Sequence, residues 1–135
     1  MKRLRTAALL IALLSAVELI ARQQPASSVF TTAQADAGRV AYSKHCASCH
    51  MPDLSGDNEK PPLTGSTFMA TWGHRSTKEL LEYMAGSMPY GAPALDAETY
   101  RSIVAFILSS NGGKPGTQPF RSSTDVPIGS VTESK

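Results

Sequence analysis

The sequence is poor in the groups that stabilise a small fold. Of 135 residues only two are cysteine, one is tryptophan and 7% are aromatic. A core with so few large side chains buries little apolar area, and small domains of this kind usually need a disulfide, a metal or a cofactor. Charge of one sign is also lacking: 13 basic against 11 acidic side chains leave a net +2. A surface that tracks phosphates carries a clustered basic excess, so nucleic acid is not an expected partner. The length excludes two domains with a nucleotide-binding sheet, and no internal repeat is found. The longest apolar run, from Thr6 to Val17, is cut by Glu18 and Arg22, short of the roughly 20 residues that a membrane span needs.

That run follows Met1-Lys-Arg-Leu-Arg5, and a basic start before a short apolar stretch predicts a signal peptide over 1–21, cut near Leu19-Ile20-Ala21. An uncleaved anchor is the alternative. No cysteine lies nearby to carry a lipid. Export to the periplasm is expected, with no stable membrane span after processing. Removal takes Lys2, Arg3, Arg5 and Glu18, leaving ten basic and ten acidic groups. Docking to a partner then rests on a local patch rather than a long-range field.

Residues 22–30 read as a mobile leader. Thr31 and Gln34 fit a capping box, and Ala37, Val40, Ala41 and Lys44 recur at helical spacing, predicting a helix that ends near His45. Gly38 inside it costs about 1 kcal/mol relative to Ala, which suggests a close crossing of another helix. Pro52, Gly56, Pro61, Pro62 and Gly65 predict a loop with turns over 51–67. Ser76 and Glu79 form a second capping box before Leu80, Leu81 and Met84, and Gly86 ends that helix. Met88-Pro89 leaves the chain extended. Asp96 is an N-cap, Leu95 and Tyr100 are placed for a hydrophobic staple, and Tyr100, Ile103, Val104, Ile107 and Leu108 line one helical face. Asn111-Gly112-Gly113 terminates it. The Pro- and Gly-rich residues 113–135 read as a disordered tail.

Cys46-Ala47-Ser48-Cys49-His50 is the C-x-x-C-H pattern of c-type haem attachment. Two thiols add to the vinyl groups on one edge of a porphyrin, and the next side chain reaches the iron. Three other readings of these residues are weaker. A disulfide between Cys46 and Cys49 would close only a tiny loop and stabilise little. A redox dithiol would sit in a βαβ context, whereas here a helix precedes and a Pro-rich loop follows. Zinc on Cys46, Cys49 and two of His45, His50 and His74 lacks the usual downstream ligand pair. His45 and His74 read as surface histidines.

The motif, together with Gly38, Tyr42, Pro61-Pro-Leu-Thr-Gly65, Phe68, Ser87-Met-Pro-Tyr-Gly91 and Tyr100 to Leu108, makes residues 31–112 resemble a monohaem class I cytochrome c domain. The resemblance implies an all-α fold, with three main helices wrapped around one covalently bound haem c. The first and last helices would cross near Gly38, with Tyr42 and Phe106 as aromatics of the crossing. It implies a one-electron carrier with no substrate chemistry of its own. His50 and a methionine would be the axial ligands, a pairing that raises the reduction potential. Among Met51, Met69, Met84 and Met88, the last is favoured, because its loop between Gly86 and Pro89 can aim a thioether. Met51 is too near His50, and Met84 lies in an apolar stripe. Should Met88 not ligate, an open sixth site would make a haem enzyme or gas-binding protein. The family also implies a Pro carbonyl on the axial His, for which Pro62 is the expected match. Met51 departs from the small residue usual there. The segments 88–91 and 106–112 are most similar to cytochromes that serve quinoprotein alcohol dehydrogenases. Redox partner proteins of that kind, or a terminal oxidase, are the expected partners. A fixed subunit of a dehydrogenase complex is the alternative.

Overall fold

The computed structural model describes residues 28–132. The expected signal peptide over 1–21 and most of the expected leader lie outside the described residues. Five α-helices follow in order: α1 Thr32–His45, α2 Ala47–His50, α3 Gly65–Trp72, α4 Thr77–Ser87 and α5 Ala97–Ser110, then a 3-10 turn Ile128–Ser130. Among the described residues there is no strand, and one isolated bridge joins Ser76 to Pro127. The all-α expectation is met. No described helix is long and apolar enough to cross a membrane.

The helices begin where cap chemistry places them. Thr31, in extended backbone, accepts the Gln34 N–H at 3.2 Å. Ser76 and Glu79 form both halves of a capping box. The Asp96 carboxylate accepts the N–H groups of Glu98 and Thr99 at 3.0 and 2.9 Å. Each cap is worth roughly 0.5–2 kcal/mol. The Thr31 box is only half built, because the Gln34 amide reaches Phe120 instead. It donates to the Phe120 carbonyl at 3.0 Å and accepts the Phe120 N–H at 2.7 Å.

α1 and α5 cross at Gly38. A Cβ there would lie 1.8 Å from the Ser102 carbonyl oxygen, so only glycine permits this approach. Beside the crossing, the Tyr42 and Phe106 rings meet at 5.3 Å and 51°, a tilted pair worth about 0.5–1.5 kcal/mol beyond its buried area. Ile103, Val104, Ile107 and Leu108 of α5 are buried, as their spacing predicts.

Three expectations fail. The loop expected over 51–67 ends earlier, because α3 begins at Gly65. Its first N–H donates to the Asn111 side chain at 3.0 Å, and the Asn111 amide donates to the Leu63 and Ile107 carbonyls. A residue at the end of α5 thus supplies the start of α3. The tail expected to be disordered is an ordered strap over 113–132. Phe120, Ile128 and Val131 are buried, and Thr77, Arg75 and Gly73 exchange backbone bonds with Val126, Ile128 and Gly129 at 2.8–2.9 Å. Its apolar residues are too sparse to show a period, yet each fills a place in the core. The leader is likewise shorter than expected: Phe30 is fully buried, and its carbonyl accepts the Gly116 N–H at 2.7 Å.

Candidate functional site

α1 runs almost directly into the single turn of α2. The Cys46 N–H donates to the Tyr42 carbonyl at 2.9 Å, and the Cys49 and His50 N–H groups donate to the Cys46 carbonyl at 3.1 and 2.9 Å. Cys46, Cys49 and His50 therefore stand at i, i+3 and i+4, on one face of one turn. Both thiols are free. Burial, and then the neighbouring Cys49, push the Cys46 thiol up to about 11. Among the described residues no group of three or more His, Cys, Asp or Glu side chains is arranged to hold a metal ion.

His50 is 7% exposed, and its Nδ1 lies 2.9 Å from the Pro61 carbonyl oxygen. A carbonyl only accepts, so the bond puts the proton on Nδ1 and leaves Nε2 with its lone pair. The carbonyl belongs to Pro61, not to the expected Pro62. The intervening turn makes the choice: the Asp57 N–H closes on the Lys60 carbonyl at 2.9 Å, and the Asp57 carboxylate accepts the Glu59 and Lys60 N–H groups. Gly56, at φ +64°, lets this turn fold in; a Cβ there would lie 2.3 Å from the Lys60 oxygen. The carbonyl presented to the ring is then the one immediately after Lys60.

The Tyr42 hydroxyl donates a shared bond to the His50 and Met51 carbonyls, at 3.1 and 2.7 Å. Burial chiefly, with Cys46 and Asp53 adding, raises the Tyr42 pKa above its ordinary value, so the phenol keeps its proton. Met51 sits at φ 64°, ψ 151°, a region that is essentially glycine's. The departure from a small residue at this position therefore has a conformational cost.

Met88 caps the C-terminus of α4, with its N–H on the Met84 carbonyl at 2.9 Å, and is half-buried. The Tyr100 hydroxyl donates to the Met88 carbonyl and accepts the Leu95 N–H at 3.1 Å. The other methionines are engaged elsewhere. Met84 is buried in the core, the Met69 sulfur accepts the Thr132 hydroxyl at 3.7 Å, and Met51 adjoins His50. Of the other histidines, His74 is exposed and His45 half-buried. Sequence reasoning placed Tyr42 and Tyr100 for their rings and missed what their hydroxyls do. The sequence marks Asn111 only as a helix end, whereas its side chain joins α5 to the start of α3.

Residues 33–107 match the family model described as cytochrome C oxidase, cbb3-type, subunit III. A search of curated proteins finds no match. The matched span runs from α1 into α5 and holds Cys46, Cys49, His50 and Met88, whereas the strap lies beyond it. With more than half of its length inside that match, its all-α fold and its two free thiols before a buried histidine, the chain belongs to this family and is a monohaem class I cytochrome c, an electron-transfer protein with covalently bound haem c.

Proposed function

We propose that the protein is a periplasmic one-electron carrier in which Cys46 and Cys49 hold a single haem c by thioether bonds and His50 and Met88 are its axial ligands. The His50–Pro61 bond carries this reading. It fixes the ring, commits the Nδ1 proton and leaves Nε2 as the only donor the imidazole has to offer. The donor set suits the group: two free thiols and that imidazole share one helical turn, and Met88 alone among the described methionines is neither in the core, hydrogen-bonded through sulfur, nor beside His50. Bound there, haem supplies an iron that takes up and releases one electron between its ferric and ferrous states.

The chain's own part is to hold its ligands still. Cys46 and Cys49 would hold the ring, His50 and Met88 would supply the two donors to its iron, and Tyr42 and Pro61 fix the His50 backbone and ring. Such an arrangement needs no ligand to enter or leave during transfer. Met88→Ala should leave haem covalently attached and abolish the far-red charge-transfer band of ferric Met-ligated haem. An unchanged band would assign the ligand to Met69 or Met84. Ready carbon monoxide binding by the unaltered protein at neutral pH would overturn the carrier reading in favour of an open sixth site.

The description of the matching family favours a second reading, a cytochrome subunit fixed in an oxidase complex. Co-purification of intact protein with a larger redox enzyme separates the two. For the electron donor we propose a quinoprotein alcohol dehydrogenase, on the resemblance of residues 88–91 and 106–112 alone.

A further inference from the structure

Resting on the reading of Met88 as an axial ligand, we propose that Tyr100 is a positioning residue: its hydroxyl clamps both ends of the Met88 loop and sets how often the thioether leaves its place.

Residues 88–95 join α4 to α5. Positions 90–94 are all exposed, Tyr90 to 90%. No Asp, Glu, Lys or Arg lies between Glu82 and Asp96, so the loop has no charged side chain with which to make an ion pair. One of its backbone bonds is internal, from the Ala92 N–H to the Pro89 carbonyl at 3.2 Å, and another returns to its own helix at Met84. The two bonds that tie it to α5 both pass through one atom, the Tyr100 oxygen. That oxygen donates to the carbonyl of the first loop residue, Met88, and accepts from the N–H of the last, Leu95.

Tyr100 suits the task because its own place is fixed. It is 4% exposed and sits in the first turn of α5, which Asp96 caps. A short rigid ring from a capped helix therefore reaches out to a loop that packs little. Since the Met88 side chain departs from the backbone whose carbonyl is clamped, releasing the clamp frees the sulfur without unfolding any helix. Low-stability loops of this kind open locally, well below the cost of global unfolding.

The test uses ferric holoprotein and imidazole, which competes with the thioether for the sixth position and so reads loop opening. Tyr100→Phe removes the hydroxyl and keeps the ring. At neutral pH it should bind imidazole about thirtyfold more tightly than the unaltered protein, the factor expected for two lost hydrogen bonds of about 1 kcal/mol each, while retaining the far-red band. Thr77→Val, which loses a donated and an accepted bond between α4 and the strap, far from the ligands, should leave imidazole binding unchanged. Imidazole affinity of Tyr100→Phe within a factor of about two of the unaltered protein would overturn the proposal. An equal tightening in Thr77→Val would overturn it too, by making the effect one of general stability. Should Tyr100→Phe yield no holoprotein, amide exchange of the unaltered protein decides. A protected Leu95 N–H within an unprotected loop supports the clamp, and an unprotected one overturns it. If instead the unaltered protein shows no far-red band and Met88→Ala binds imidazole no better, the Met88 assignment has failed rather than the clamp.

Discussion

On the side of His50 the site is dry and branched, whereas on the side of Met88 a loop runs through solvent and is drawn closed at its neck by one phenol. His50 is 7% exposed, its ring is held by the Pro61 carbonyl, and its backbone carbonyl accepts both the Tyr42 hydroxyl and the Gly56 N–H. Tyr42 is itself packed into the α1–α5 crossing through Phe106. To move His50, several buried groups must lose partners together, each at a cost of about 1–3 kcal/mol. To open the Met88 loop, one hydroxyl must let go of its two partners, Met88 and Leu95. The contrast separates two tasks. The motif side fixes where Cys46, Cys49 and His50 stand relative to the core, and the loop side keeps Met88, the proposed ligand, in reach without building it into that core.

The comparison breaks most completely at Gly38. A valine there would drive its Cβ into the Ser102 carbonyl, a backbone atom with no rotamer to escape into. Gly38→Val should cost more than about 4 kcal/mol, a large part of the 5–15 kcal/mol that holds a domain. The expected outcome is little or no haem-bearing protein, measured as pigment covalently retained per polypeptide. Normal yield would show that the His50 side does not depend on the crossing.

Met51→Gly sharpens the contrast in the opposite direction. The strain at φ 64°, ψ 151° costs about 1–3 kcal/mol, and glycine removes it while adding roughly 0.5–1 kcal/mol of chain entropy to the unfolded state. A net gain of about 1 kcal/mol is expected, read as a higher denaturant midpoint at unchanged slope. The gain should appear in global stability and not in imidazole binding, because Met51 lies on the side that opens only with the fold. A gain in loop closure would contradict the division.

What the sequence reveals of this arrangement follows the range of the forces involved. Thr31, Ser76 with Glu79, and Asp96 announce their helices because a cap is a contact between residues two or three apart. The motif is legible for the same reason, its three functional side chains lying within five residues. What is hidden depends on distant partners. Gln34 satisfies the local rule for a capping box, yet its amide finds both a donor and an acceptor 86 residues away at Phe120. The strap carries Pro and Gly at the frequency of a disordered tail, and only its docking beside Gly73, Arg75 and Thr77 shows where Ile128 goes. α3 starts on a donor group from Asn111, which no pattern in 65–72 contains. Pro61 and Pro62 are equivalent as letters, and a turn four residues upstream chooses between them.

The smallest expected effect concerns the foot of the Met88 loop, where Asp96 caps the turn that carries Tyr100. The Thr99 hydroxyl, then the Thr99 and Glu98 N–H groups, hold the Asp96 carboxyl below the ordinary carboxylate value. A group depressed in the folded state stabilises fully above its unfolded pKa, about 3.9, and loses that contribution as pH falls through the lower folded value. Asp96→Asn retains a good N-cap but no longer titrates, so stability near neutral pH should hardly change while the acid limb flattens below about pH 4. Following the far-red band and the helical signal together places the effect. If the cap supports the clamp, acid should weaken the band of the unaltered protein before its helices melt, and in Asp96→Asn this early loss should shrink. Coincident loss of both signals in both proteins would mean that the Met88 side is no looser than the His50 side, and the distinction between the two would fall.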